Sequence, residues 1–250
     1  MLKKFVPHFF TLLNLLSGCV AAVLAVQNHL VFAAVFVGVG IFFDFFDGFF
    51  ARMLKVPSEL GLQLDSLADM ITSGLVPGIV MMQLISQSLG GNAGIFVYDW
   101  ETHPMFHFDF PPLALLGLLI TLASAYRLAK FNIDKRQSSS FVGLPTPANA
   151  IMIVSLPLIA AYQAFPRILA LIFNPWFLVG LTFLSTALLN AELPLFGLKF
   201  KSWDFKTNWY RYLLIGIAVF SFFFFQFLAL PLLILFYVLF SATLHFYHLE

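Results

Sequence analysis

Apolar runs long enough to cross a bilayer recur along this chain, near residues 9–27, 30–54, 62–86, 111–133, 146–164, 168–190, 211–229 and 231–248. A helical span needs about 20 predominantly apolar residues, because hydrocarbon offers no partner to a backbone N–H or C=O. Eight such runs in 250 residues leave no room for a soluble domain. The chain therefore reads as all-α, a polytopic membrane bundle of about eight transmembrane helices. Composition agrees: 61% of residues are hydrophobic and 10% are charged, against roughly 45 to 50% apolar in soluble domains. Pro231 separates the last two runs, and their combined length favours a turn there over a kink.

The net charge of +1 gives no basic footprint for nucleic acid. The placement of the charges is more telling. If the spans alternate, Lys3, Lys4, Arg52, Lys55, Arg127, Lys130, Lys135, Arg136, Lys199, Lys201, Lys206 and Arg211 fall on one side and Arg167 alone on the other. The positive-inside rule makes the first side the cytoplasm, with both termini there and the cell (inner) membrane as the location. The loop at 87–110 on the opposite side carries Asp99, Glu101 and Asp109 and no Lys or Arg. The start mimics a signal peptide, yet its removal would reverse the sidedness of every later loop, so it reads as a retained first span. Cys19, the single cysteine, excludes an internal disulfide and reads as a small core residue. No internal repeat is visible. His103, His107, His245 and His248 read as surface or interfacial, and Trp203, Trp209 and Tyr210 among Lys199, Lys201 and Lys206 suggest a stretch at headgroup level.

Against this background four carboxylates stand out inside apolar helix: Asp44 and Asp47 in one run, Asp65 and Asp69 in the next. Each costs roughly 2.5 to 3.5 kcal/mol at the centre of a span, so their clustering calls for a compensating ligand. On a helix Asp44, Asp47, Gly48 and Ala51 share one face, and Asp65 and Asp69 are i, i+4 with Gly61, Thr72 and Ser73 continuing their stripe. Two helices joined by a short turn can aim all four acids at one point. That point lies near one membrane face, since Asp44 precedes the expected helix end by about ten residues, roughly 15 Å. Hard oxygen donors without His or Cys favour Mg²⁺, Mn²⁺ or Ca²⁺ over zinc. Four carboxylates suit a two-metal site that clamps both sides of a phosphoryl displacement. Gly48 and Ala51 leave a concavity beside it, and Arg52 offers a fork for phosphate or a brace for a carboxylate.

The pattern Asp44-x-x-Asp47-Gly48-x-x-Ala51-Arg52-x(8)-Gly61-x-x-x-Asp65-x-x-x-Asp69 resembles the signature of the CDP-alcohol phosphotransferase family at every fixed position. That resemblance implies a membrane enzyme that moves a substituted phosphoryl group from a CDP-linked donor to an alcohol, with two divalent cations (Mg²⁺ or Mn²⁺) and release of CMP. It also suggests a homodimer. Thr11-Leu-Leu-Asn14-Leu-Leu-Ser-Gly18, Tyr126-Arg127-Leu-Ala-Lys130-Phe-Asn132 and Phe141-Val-Gly143-Leu144-Pro145-Thr-Pro147 are similar to stretches of the phosphatidylserine synthase branch. His8 stands where Asn usually follows the proline, and Lys130 where Arg is usual. Beyond residue 150 no motif is recognised. The resemblance divides the chain into a six-helix core at 1–190 and, at 191–250, an interfacial segment with two additional transmembrane helices.

The expected reaction is CDP-diacylglycerol plus L-serine giving phosphatidylserine and CMP. By the resemblance, Asp44, Asp47, Asp65 and Asp69 hold the metals, with Asp69 also the candidate general base. Thr11, Asn14, Gly48, Ala51, Arg52 and Gly61 form the nucleotide side, and Arg127, Lys130 and Asn132 the acceptor side. Positive-inside placement competes as the explanation of Arg127 and Lys130. Choline, inositol phosphate or glycerol phosphate remain open as acceptors, because the signature reports on donor and metals only. A divalent-cation transporter would instead spread its acids over facing helices near the midplane.

Overall fold

The computed structural model describes residues 2–91, 111–133, 141–163, 165–196 and 204–246. Asp99, Glu101, Asp109, His103, His107, Lys135, Arg136, Lys199, Lys201, Trp203 and His248 lie outside them, as do the side chains of Lys3, Lys4, Lys206 and His245. The helices are α1 (Leu2–Val26), α2 (Leu30–Met53), α3 (Glu59–Ser88), α4 (Pro112–Ile133), α5 (Thr146–Tyr162), α6 (Pro166–Ile172), α7 (Pro175–Asn190), α8 (Phe205–Phe225) and α9 (Ala229–Phe246). Two short strands, β1 (Phe141–Val142) and β2 (Pro194–Leu195), pair antiparallel, with Phe141 opposite Leu195.

The bundle is organised around α3. Within its membrane-length window 83% of residues are buried, against 33% in α1 and in α2, so α3 is the axis and the others are its jacket. Ser58 starts it, its hydroxyl accepting from the Gly61 amide at 3.0 Å, one of the N–H groups a helix start leaves free. Part-way along, Met70–Leu75 widens into a π-helical turn. Pro77 explains the placement: it has no N–H for the carbonyl one turn back, and a wider turn relieves the clash of its ring. Four buried residues of the outer half, Met81, Met82, Leu84 and Ile85, join the main apolar core with Ala21, Ala25, Ile120 and Ile153 from α1, α4 and α5.

By length and composition five helical stretches can cross a membrane, or six if α6 and α7, bent by 68° at Asn174, form one broken span. The count of eight expected from the apolar runs is larger for two reasons. Helix α5 has 17 residues, about 25 Å at 1.5 Å each, just short of a full crossing. The other reason is that Asn208–Leu244 is continuous in helical hydrogen bonding yet is folded in two. Trp209 and Phe240 are separated by thirty-one positions, and their rings lie 6.2 Å apart, so α8 and α9 run antiparallel as a hairpin. The reversal falls at Gln226, which adopts φ +47°, and not at Pro231 as expected. Pro231 instead occupies the first turn of α9, where its missing N–H breaks no helical bond. Cys19 is also corrected: it is exposed on the outer face of α1, where lipid and not core surrounds a small apolar residue.

Phe141-Val-Gly143-Leu144 folds against the end of α7. The Gly143 amide donates to Leu193 O and the Leu144 amide to Leu188 O, each at 2.9 Å, satisfying a carbonyl that the end of α7 leaves free. Gly143 has φ +77°, and a Cβ there would sit 2.8 Å from Leu189 O, so only glycine serves. This contact sets where α5 begins.

Candidate active site

The acids sit where α1, α2 and α3 meet. The five-residue connection Leu54–Ser58 turns the chain through Lys55 at φ +55° and lets α3 climb back beside α2. Carboxylate oxygens of Asp44, Asp47 and Asp65 all fall within 4.8 Å of one another. Asp44 and Asp47 come from α2 and Asp65 from α3, so the acids approach one another across the two helices. Such crowding of like charge is stable only when something neutralises it, and oxygen donors at this spacing fit a hard divalent cation.

Asp47 and Asp69 are each held by a side chain of α1. Thr11 Oγ1 of α1 donates to Asp47 Oδ2 at 2.6 Å, fixing that carboxylate from beneath. Asp69, one turn beyond Asp65 and 8% exposed, lies outside the compact triad and accepts from Asn14 Nδ2 at 3.4 Å. Asn14 is itself held by Thr72, whose Oγ1 donates to Asn14 Oδ1 at 2.8 Å. Thus α1 reaches the acids through two side chains one turn apart.

These contacts depend on close helix approach, and two glycines allow it. A Cβ on Gly18 would come within 2.3 Å of Thr72 Oγ1 and 3.0 Å of the Thr72 backbone nitrogen. On Gly40 it would meet Thr72 Cγ2 at 2.6 Å and Asn14 Oδ1 at 2.9 Å. Small residues at membrane helix interfaces serve this purpose generally. The role of Gly40 was missed in the sequence, since nothing local distinguishes it from Gly38, whose Cβ would meet nothing within 4 Å.

Beside the triad lies a cavity of about 210 Å³ where α2 and the first half of α3 face each other over α1. Of the residues expected on the nucleotide side, Thr11, Gly48, Ala51 and Gly61 line it together with Asp47 and Asp65. Arg52 is exposed and folds back so that its Nη1 would be 3.2 Å from a Cβ on Gly48, at the rim and not in the lining. Asn14 is fully buried and faces Asp69 and Thr72 instead. Pro7, His8, Val56, Pro57, Ser58 and Leu62 complete the wall, and His8 was missed as a site residue although its departure from the family pattern marked it.

The three acceptor-side candidates separate. Arg127 is 7% exposed and within electrostatic reach of Asp69. Lys130 points away, its Nζ 3.3 Å from Glu192 in an exposed ion pair of the kind that contributes 0 to about 1 kcal/mol. Asn132 Nδ2 donates to Ser66 Oγ at 2.9 Å, tying the end of α4 to α3.

Residues 4–188 match the CDP-alcohol phosphatidyltransferase family. Over 154 residues the chain is 28% identical to a CDP-diacylglycerol–serine O-phosphatidyltransferase of Bacillus subtilis, covering 61% of this chain and 75% of that protein. Enzymes of the same description from Helicobacter pylori and Methanocaldococcus jannaschii are each 29% identical over 150 residues. Those two matches cover 59% and 60% of this chain but 55% and 58% of the relatives, little more than half their length. The α8–α9 hairpin lies beyond the family match. Since that match runs from α1 through the whole acidic signature into the last turn of α7, this protein belongs to the CDP-alcohol phosphatidyltransferase family of metal-dependent membrane enzymes.

Proposed function

We propose that the protein transfers the phosphatidyl group of CDP-diacylglycerol to L-serine, giving phosphatidylserine and CMP. The observation that carries the reading is the triad Asp44, Asp47 and Asp65 gathered beside a cavity floored by Thr11 and walled by Gly48, Ala51 and Gly61. The serine acceptor rests on relatives whose described activity is serine O-phosphatidyl transfer.

In this reading the nucleotide enters the cavity, where Gly48 and Ala51 let it approach the α2 backbone and Arg52 closes the rim. Asp44, Asp47 and Asp65 would hold one divalent ion, with Asp65 and Asp69 flanking a second, Mg²⁺ or Mn²⁺. When bound, these ions neutralise pyrophosphate charge and stabilise the departing CMP. Thr11 holds Asp47, and Asn14 holds Asp69, in the orientation that binding needs. The serine hydroxyl oxygen forms a bond to the phosphorus that carries the diacylglycerol. The bond from that phosphorus to the bridging oxygen breaks, CMP leaves with the electron pair, and Asp69 takes the hydroxyl proton.

Arg52, Lys55, Arg127, Lys130 and Arg211 stand at the ends of helices on the side of the acids, which supports a cytoplasmic active site and cytoplasmic termini. The packed bundle together with the α8–α9 hairpin supports an eight-helix topology, with α5 and the bent α6–α7 pair as its short members. A homodimer in the cell membrane completes the proposal. The test is a panel of radiolabelled acceptors with CDP-diacylglycerol in detergent, with and without chelator. Serine incorporation and CMP release that require Mg²⁺ or Mn²⁺ are expected. Incorporation of choline, inositol phosphate or glycerol phosphate, and none of serine, would overturn the acceptor. Ion transport without CMP release would overturn the enzyme reading.

A further inference from the structure

At the end of the bundle opposite the acids, the helices that match the family and the α8–α9 hairpin do not close on one another. Between α5, α6, α7 and α9 lies a second cavity, of about 470 Å³, walled by aliphatic and aromatic side chains and by Gly180. Its floor is buried: Met152, Leu156 and Ile159 of α5 and Ile172 of α6 are each 4% exposed or less. Its rim is open, with Leu171, Trp176, Leu184 and Leu232 between 43% and 73% exposed, so the space faces sideways toward the bilayer. A Cβ on Gly180 would meet nothing within 4 Å. Protein interiors pack at crystal density, and a void of this size forfeits the contacts of every atom that lines it. Water finds no set of polar partners here, whereas hydrocarbon suits the walls.

The cavity has the depth of one leaflet. It follows α5 from Ile159 back to Met152 and α7 from Trp176 to Leu184, about 10 to 12 Å at 1.5 Å per residue. Half of a hydrocarbon core is about 15 Å. Both stretches begin at the helix ends remote from the acids, so the space runs inward from that membrane face. Gln163 holds one margin. Its Nε2 donates to Phe225 O at 2.7 Å and its Oε1 accepts from the Leu228 amide at 3.1 Å, pinning the hairpin turn to the end of α5.

The charge at the mouth identifies the guest. Among the described residues Arg167 is the one Lys or Arg at this end, while Arg52, Lys55, Arg127, Lys130 and Arg211 stand at the other. It is exposed and has no ion-pair partner among the described residues, and no described Asp or Glu lies at this end. Topology does not call for it, since positive residues gather at the opposite face, and the first turn of α6 disfavours a cation. Arg167 adjoins Ile168 and lies one turn before Leu171, both of which line the cavity. We propose that an anionic phospholipid of the leaflet opposite the acids seats an acyl chain between α5, α7 and α9, with its phosphate on the Arg167 guanidinium. The lipid joins the hairpin to the rest of the bundle. A net anionic headgroup is favoured because no described carboxylate is at hand to receive the cation of a zwitterionic one. This site is separate from the acidic cavity and does not depend on which acceptor the enzyme uses.

The experiment counts lipids retained by the full chain in mild detergent, by native mass spectrometry after loading with phosphatidylglycerol or phosphatidylcholine, and follows the melting temperature. One phosphatidylglycerol per chain is expected, held about tenfold more tightly than phosphatidylcholine, with a saturable rise of a few degrees in melting temperature. Arg167→Gln, at an exposed position, should bring the two lipids to equal affinity. Gly180→Leu should fill the cavity and lose the lipid while the lipid-free protein melts at or above the wild-type temperature, and Gly180→Ala should keep the lipid. CMP release in detergent should be unchanged in all three variants. Equal affinity for the two lipids in wild type, or wild-type retention in both Arg167→Gln and Gly180→Leu, would overturn the proposal. Inorganic phosphate reproducing the melting shift would overturn it in favour of a free anion. Loss of the lipid on chelation of divalent cations would place it at the acids and would overturn it as well.

Discussion

The α1–α3 unit and the α8–α9 hairpin are both helical and apolar, but they are held together differently. In the first, polar side chains cross between helices: Thr11 to Asp47, Asn14 to Asp69, Thr72 to Asn14. Glycine at 18 and 40 lets the backbones close to the distance those contacts need. In the hairpin, ring edges do the work. Phe196 packs on Tyr210 at 4.9 Å and on Tyr237 at 5.1 Å, and the Phe196 backbone is pinned at both ends, its N–H to Ser241 Oγ and its C=O by Tyr237 OH. Directional bonds fix carboxylate positions to a few tenths of an ångström, as chemistry demands. Aromatic contacts of about 0.5–1.5 kcal/mol each tolerate sliding, as an outer brace can afford to. The hairpin is only 11% buried in its membrane window, which agrees with a peripheral part.

The largest test of this contrast is on the acids. Asp65→Asn keeps size and hydrogen bonding while removing one charge from the triad. It should lower CMP release on the order of 10²–10³-fold or more, with the melting temperature in detergent equal to or above that of wild type. Turnover near the wild-type rate would mean that the triad does not carry the reaction. Next comes the interface that positions the acids. Gly18→Ala places a Cβ against Thr72, including its backbone, which cannot swing aside. A stability loss of about 1–3 kcal/mol is expected from overpacking, accompanied by a fall in kcat as Asn14 is pushed off Asp69. Stability falling while kcat holds would show that the acids do not depend on the close approach.

These cases also show what could be read from the chain alone. The acids were legible because their offsets are fixed by helix geometry, and a charged residue in hydrocarbon has few reasons to exist. Arg127 and Lys130 were not separable, since the same positive charge serves topology and chemistry. Only the Glu192 partner of Lys130 and the burial of Arg127 distinguish them. Gly40 matters through contacts between helices, and one strand of sequence carries no inter-helix distance. The hairpin was legible from length. Its turn was misplaced because Pro231 is a visible breaker, while Gln226 at positive φ has no compositional sign. Cys19 was put in the core by residue type, whereas the face it occupies is set by the packing of α1 on α2 and α3.

A smaller effect is expected from the brace. Ser241→Ala removes the oxygen that accepts from the Phe196 N–H at 2.8 Å, in a position where Ser241 is fully buried. The expected cost is about 1 kcal/mol of stability, with KM and kcat for CMP release unchanged. A shift in either kinetic constant would mean that the hairpin communicates with the site, contrary to the division drawn here.

Smallest of all is Gly216→Ala, the counterpart of Gly18→Ala in the same kind of helix. A Cβ at 216 would meet nothing within 4 Å, so the substitution adds helix propensity with no clash. Removing a glycine from a helix interior reduces the freedom lost on folding, which gives a gain of roughly 0.5–1 kcal/mol. The thermal midpoint should therefore rise slightly, and activity should not change. Paired with the Gly18 variant it isolates one variable, whether a helix is pressed against a neighbour at that point. Should Gly216→Ala destabilise the protein as much as Gly18→Ala, the open face of α8 must be covered in the membrane, and the hairpin would be an interface and not a brace.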